Sequence, residues 1–350
     1  MTLVEKLVRC SSVSGEEKEA VSLLCREMSS RGFRSYQDEI GNAIGVIGNG
    51  KQTVSLVGHI DTVSGDIPVR FEDGILYGRG SVDAKGPLAA FVEAAAHFFE
   101  SQLITVLVVG CVREETDSAG GKHLLTDLST PDWAVIGEPS GWNGVTIGYK
   151  GSLTLEYRLE VPRHHYGAAD KTAAEEAVTF YDALCRAYPE TGPQFGAVSI
   201  RLTKMKTSSL GTHEVAEMEI NVRTPVEFDI EGFDATVVDL SNRASILING
   251  FVPAVVGDKR NPLVRSFLGA VRSRNGTPCF KYKTGTSDMN HLAYGHEEYP
   301  AWSCPMVAYG PGDSSLDHTP DEHLRIEEYE KSIAVLVAML GRLENHAKVM

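Results

Sequence analysis

His59 and Asp61 stand two apart at the end of an apolar run, Val54 to Val57, that reads as a buried strand. A strand's period of two points both side chains the same way, so one could bind a cation while the other steers it. A carboxylate that accepts the ring N–H of a ligating histidine fixes its tautomer and raises its basicity, which is the role expected of Asp61. Alone the pair is a weak signal, because a histidine at a strand end is more often a hydrogen-bonded structural residue. Further along, Gly78-Arg79-Gly80-Ser81-Val82-Asp83-Ala84-Lys85-Gly86-Pro87 sets Asp83 in a glycine-rich turn ahead of a helix, where it could equally be an N-terminal cap. Glu114 and Glu115 follow a strand ending near Cys111, and two adjacent acids there repel unless cations or solvent relieve them. Glu138 follows the run Trp133 to Gly137, and His318 lies in Leu316-Asp317-His318-Thr319-Pro320-Asp321-Glu322. Each has a mundane loop reading. Together they fall near strand ends, where open α/β sheets place their sites.

Histidine with carboxylates suits zinc or a similar divalent transition metal better than magnesium or calcium. The six cysteines (Cys10, Cys25, Cys111, Cys185, Cys279, Cys304) are scattered without a CxxC pair, so neither a thiolate zinc site nor a disulfide framework is expected. Two metals about 3.5–4 Å apart need one shared carboxylate, and Asp83 is the central candidate.

Positioning these residues takes a large scaffold. A chain of 350 residues is long for one core, so two domains are expected. With 42% hydrophobic and 23% charged residues it reads as a globular enzyme rather than a disordered or fibrous chain. The net charge of −14, with no offsetting basic stripe, argues against a nucleic-acid partner. MTLVEKLVRCSSVSG lacks an apolar signal core and no later run approaches a membrane span, so the expected location is cytoplasmic, without membrane.

Ser14 and Glu17 form a capping-box signature before the helical spacing of Ala20, Val21, Leu24 and Met28, up to Gly32. Strands are expected at Ala43 to Ile47, Ile75 to Tyr77 and Ile104 to Cys111, with Pro87 at N1 of an alanine-rich helix. The pattern then shifts. A strand from Leu153 to Val161, a helix from about Thr172 to Tyr188, strands near Ala197 to Thr203 and Glu214 to Arg223, and a helix over Phe233 to Ile248 suggest a split-βαβ domain. A strand over Met306 to Tyr309 and a helix over Ile326 to Glu344 close the chain. The small domain is expected as an insertion, 152–255, in a catalytic domain formed by 1–151 and 256–350.

The segments GHIDTV, GRGSVDAKGPLAAF, REE, GEPS and His318 before Pro320-Asp321-Glu322 resemble the M20 metallopeptidase and deacylase family along nearly the entire chain. That resemblance implies an α/β zinc-dependent exopeptidase-like domain interrupted by an α+β, ferredoxin-like lid that makes a homodimer. It implies two divalent metal ions, Zn2+ first and Co2+ second. His59 and Glu138 would bind one, Glu115 and His318 the other, and Asp83 both. Glu114 would be the general base, moving a proton from water to the departing amine. A cis peptide between Asp83 and Ala84 is a further implied feature.

The family also uses a lid histidine as a donor to the carbonyl oxygen. In Pro162-Arg163-His164-His165-Tyr166-Gly167-Ala168-Ala169 the usual serine and proline are missing, and by register His165 is preferred over His164. Arg223 resembles the arginine that grips a substrate carboxylate with its bidentate fork, a surface ion pair being the plain alternative. Thr286, Ser287, Asp288 and Asn290 lie in a loop that the resemblance assigns to the substrate pocket, with Asp288 expected to meet a cationic substrate end.

Ala84 after the bridging acid, in VDAKGPLA, together with TGTSDMN resembles the branch releasing lysine or ornithine from the C-terminal glutamate of the amino-group carrier protein LysW. An acetylornithine deacetylase or succinyl-diaminopimelate desuccinylase would use the same metals and base. A metal-free binding protein on this fold would tolerate loss of a ligand or of Glu114, whereas every position is filled. An acidic carrier would need a local basic patch, for which Lys150, Arg201, Lys204 and Lys206 are the candidates.

Overall fold

The computed structural model describes residues 1–348 apart from 166, 168 and 296–298. In chain order the first part contains α1 (Leu3–Arg9), α2 (Lys18–Ser30), β1 (Arg34–Gln37), β2 (Ala43–Gly48), β3 (Gln52–His59), β4 (Arg70–Glu72), β5 (Ile75–Tyr77), α3 (Lys85–Ala95), β6 (Ile104–Cys111), α4 (Ala119–Asp127), β7 (Trp133–Gly137) and β8 (Gly144–Tyr149). Next come β9 (Gly151–Pro162), α5 (Ala173–Ala187), β10 (Ser199–Leu210), β11 (His213–Thr224), α6 (Ile230–Ser241) and β12 (Ser245–Val252). The chain ends with β13 (Val255–Val256), α7 (Pro262–Ser273), β14 (Cys279–Lys283), α8 (Asp288–Tyr294), β15 (Met306–Ala308), β16 (His323–Arg325) and α9 (Ile326–Ala347).

Two compact units result. One comprises Met1–Gly148, Gly257–Tyr282 and Ser287–Met350; the other, Tyr149–Val256 with Lys283–Thr286. No local signal in the sequence assigns Lys283–Thr286 to the second unit. There the Lys150 N–H donates to the Lys283 carbonyl at 3.1 Å.

In the first, catalytic unit a mixed sheet runs β1-β2-β6-β3-β7-β15-β8, with β14 also pairing with β8. β6, β3, β7 and β15 are parallel neighbours in that order, and their mostly apolar residues are largely buried on both faces. Helix α3 is apolar nearly all round: it packs against α1 and α9 and sets Leu88 against Gly58 and Gly110 and Phe91 against Gly137 of the sheet, as a helix buried on every side must. It starts at Lys85, so Pro87 is the third residue of its first turn rather than N1.

The expected capping box at Ser14 and Glu17 does not form. Helix α2 begins at Lys18 with no side-chain cap, because both side chains have more distant partners, described below.

The second, lid unit is a four-stranded antiparallel sheet ordered β10-β11-β9-β12. Its β-α-β-β-α-β chain order is the split-βαβ pattern. Thr172 and Glu175 form a complete capping box on α5. The expected helix over Phe233 to Ile248 is instead two elements. Asn242, at φ 53°, stops α6, and the β-branched and apolar stretch after it joins β9 as β12. Leu155, Tyr157, Phe180, Ile220 and Phe233 are among the side chains that fill the lid core. No helix among the described residues is long and apolar enough to cross a membrane.

Candidate active site

Parallel neighbours β6, β3 and β7 end at Cys111, His59 and Gly137, so the segments carrying Glu114 and Glu115, Asp61, and Glu138 all leave the same end of the sheet. His59 Nε2 lies 3.2 Å from Asp83 Oδ1 and 4.0 Å from Glu138 Oε1. On the other side His318 Nε2 lies 3.1 Å from Asp83 Oδ2 and 2.9 Å from Glu115 Oε1. Asp83 therefore offers one oxygen to each histidine. Donor atoms of His59, Asp83 and Glu115 come within 4.8 Å of one another. Two imidazole nitrogens and three carboxylates, one of them shared, fit two divalent cations with Asp83 between them. The Asp83–Ala84 peptide is cis.

Electrostatics make the same case. Donation of the ring N–H to Asp83 and then to Glu115 raises the pKa of His318 to about 10, against an opposing effect of partial burial. Burial opposes protonation of His59, yet Asp61, Asp83 and Glu114 hold its pKa well above the ordinary value. For Asp83 burial works upward and is outweighed by His318 and His59, leaving the carboxylate strongly acidic. Such a concentration of anionic donors favours cations, and a metal ion would compete directly with those imidazole protons. Glu114 differs from its neighbours. Burial pushes it well above the usual carboxylate range; His59 opposes this, while Glu138, Asp288 and Glu115 push it further up. That is the environment of a carboxyl that holds a proton more readily than an exposed one.

Asp61 has no exposed surface and does more than steer His59, whose Nδ1 is 3.4 Å from its Oδ1 and 3.1 Å from its carbonyl oxygen. Its carboxylate accepts the N–H of Glu114 and of Glu115, each at 3.1 Å, and the Ser14 hydroxyl at 2.6 Å. Glu17 accepts the Arg113 N–H at 3.1 Å, just ahead of the acidic pair, where Arg113 has φ 62°. Ser14 and Glu17 thus support the segment that carries Glu114 and Glu115 rather than the start of a helix. Their capping pattern was visible, but its long-range destination was not.

In the lid unit the Arg223 guanidinium donates to the Thr286 hydroxyl, joining two residues expected at the substrate. His164 and His165 are exposed and line one groove with Lys171, Glu175 and Glu214; Tyr166 and Ala168 lie outside the described residues. His165 Nδ1 accepts the Gly167 N–H at 3.1 Å.

Three other residues expected at the substrate, all in the catalytic unit, have interior surroundings instead. Ser287 and Asn290 are buried and form the capping box of α8, whose S-x-x-N pattern was present in the sequence. Asp288, 2% exposed, lies so close to α4 that a Cβ on Gly121 would approach its Oδ1 to 2.2 Å. Its pKa rises to about 6, chiefly through burial. Lys150 likewise leaves the basic-patch candidates, being fully buried with its ammonium on the Gln194 and Ala197 carbonyls and the Ser199 hydroxyl.

A parallel-sheet domain with this donor set and a buried carboxyl beside it defines a metal-dependent hydrolase of amide bonds. The profile of Peptidase family M20/M25/M40 matches residues 55–342, and the chain belongs to that family. It is 39% identical to the [LysW]-lysine hydrolase of Deinococcus radiodurans over 97% of this chain and 96% of that protein. It is 28% identical to the [LysW]-lysine/[LysW]-ornithine hydrolase of Saccharolobus solfataricus over 80% and 78%. Among solved structures, a tripeptidase from Staphylococcus aureus superposes with a TM-score of 0.79 at 17% identity, covering 98% of this chain and 97% of that one. An M20 family metallo-carboxypeptidase from Sulfolobus solfataricus gives 0.77 at 17% identity, over 97% and 98%.

Proposed function

We propose that this enzyme releases lysine or ornithine from the amino-group carrier protein LysW, in lysine or arginine biosynthesis. It would hydrolyse the amide between the side-chain carboxyl of the carrier's C-terminal glutamate and the α-amino group of the amino acid. The observation that carries the hydrolytic reading is Asp83, with one oxygen toward each of two histidines. The substrate is supported by the names of relatives that align over nearly the whole chain.

His59, Glu138 and Asp83 would hold one cation, and Asp83, Glu115 and His318 the other, with zinc the expected ion and cobalt the alternative. Bound there, the cations would polarise the scissile carbonyl and make water a better nucleophile. Glu114 takes the proton from the attacking water and gives it to the α-amino nitrogen as the C–N bond breaks. Asp61 keeps His59 in one tautomer and holds the Glu114–Glu115 backbone still. Arg223, with Thr286 beside it, grips the α-carboxylate of the departing residue. His165 donates to the carbonyl oxygen in a homodimer, for which the lid sheet's outer strands β10 and β12 offer edges. Work in the cytoplasm fits the carrier substrate.

The test is a comparison of kcat/KM for the carrier-linked lysine, a γ-glutamyl-lysine peptide, acetylornithine and succinyl-diaminopimelate. The carrier adduct should be turned over best. If either small acylated substrate outruns it by orders of magnitude, the carrier assignment is wrong while amide hydrolysis stands.

A further inference from the structure

Glu322 has no exposed surface, yet it is a carboxylate four positions beyond His318. Its Oε1 accepts the N–H groups of Val82 at 2.9 Å and Asp83 at 3.1 Å. Its Oε2 accepts the Gly80 N–H at 3.1 Å and the Arg79 guanidinium at 2.9 Å. The Glu322 carbonyl also accepts the Gly78 N–H at 3.3 Å. The turn is tight, with Gly78 at φ 153° and Gly80 at φ 82°, and three of its amides converge on a single buried anion. An anion hidden this way is tolerated only when each oxygen is well supplied with donors, as here.

The two halves of the site are therefore anchored differently. Asp83 hangs from Glu322 through its own N–H, and His318 is joined to Glu322 by a short piece of chain. By contrast, His59 is the last residue of β3 and Glu138 follows β7, and these strands pair with each other from Val54–Trp133 to Gly58–Gly137. Sheet pairing holds that side without help from Glu322.

Building on the dimetal reading above, we propose that Glu322 is a positioning residue that sets the Asp83–His318 spacing, so that its loss weakens one metal position more than the other. The experiment is calorimetric titration of the full-length apoprotein with Co2+, in wild type, Glu322→Gln and Arg79→Ala, with His318→Ala identifying the binding step that belongs to that half. Wild type should take two equivalents. Glu322→Gln should weaken the His318 step by about 10–100-fold, the usual range for removing a partner behind a metal ligand, and the His59 step much less. Arg79→Ala, which leaves the three backbone contacts, should do less than Glu322→Gln. Apoprotein melting temperature serves as the control, since a merely structural Glu322 would lower it and weaken both steps together.

Equal weakening of both steps, or none, overturns the proposal. Should Glu322→Gln fail to fold by circular dichroism, Glu322→Asp, which keeps the charge but withdraws it by one methylene, supports the same comparison. A wild type that binds fewer than two equivalents removes the dimetal reading, and this inference with it.

Discussion

In the catalytic unit Asp61, Asp83 and Glu322 are at most 9% exposed, and Asp61 and Glu322 each accept at least three hydrogen bonds. In the lid unit the ion pairs Arg201–Glu190, Lys204–Glu219 and Arg158–Glu217 stand largely in solvent. The same residue types thus do opposite work. A buried carboxylate with fixed donors sets the position of something else, and removing a partner leaves an uncompensated polar group. An exposed pair is screened and contributes about 0–1 kcal/mol. Precision belongs to the first unit and tolerance to the second.

The sharpest way to break that comparison is Glu114→Gln. On the proposed mechanism it removes the proton carrier and no metal ligand, so kcat should fall by about 10²–10⁴-fold with metal content unchanged by elemental analysis. Glu115→Gln should instead lose metal. The reverse order of effects would exchange the two roles. Asp61→Ala comes next: it removes the carboxylate from beside the His59 ring, whose bond to the residue 61 carbonyl remains, and it frees two backbone amides and Ser14 at once. Metal affinity or activity should drop about 10–100-fold; unchanged values would mean that the buried network is passive. An effect of similar size but on a different quantity is expected in the lid, where Arg223→Ala deletes a charged donor worth about 1.5–3 kcal/mol and should lower kcat/KM about 10–100-fold while metal stoichiometry stays at the wild-type value. Metal loss in that variant would contradict its assignment to substrate.

The contrast between the units also governs what the sequence made legible. Donors at strand ends could be found by locating the strands, because parallel strands β6, β3 and β7 deliver whatever follows them to one edge. The Thr172–Glu175 cap was equally local. What escaped was the choice of partner across the chain. Ser14 bonds Asp61 across 47 positions, Glu17 reaches Arg113 across 96, and Glu322 receives the Asp83 N–H across 239. A side chain's donor capacity is written in its type, whereas its destination depends on the assembled core. The merged helix over Phe233 to Ile248 failed for a different reason. Apolar residues on both sides of Asn242 suit either period, and only the left-handed turn separates them.

The gentlest change sharpens the comparison most at the lid surface. Lys204 is 75% exposed along its side chain, and its carboxylate partner Glu219 is 36% exposed. Lys204→Ala should therefore shift the urea-derived stability by less than about 1 kcal/mol. Its charge would matter only to an acidic partner. If the lid meets an acidic carrier through Lys204 and Lys206, replacing both with alanine should reduce kcat/KM for the carrier adduct at low salt. The loss should shrink as salt rises, because such charges steer encounter rather than hold the bound complex. A γ-glutamyl-lysine peptide has no carrier surface, so its kcat/KM should not change. Equal losses with both substrates would move these lysines from carrier recognition to lid structure, and a large drop in stability would show that the lid's exposed charges hold the fold as firmly as those beneath the metal ligands.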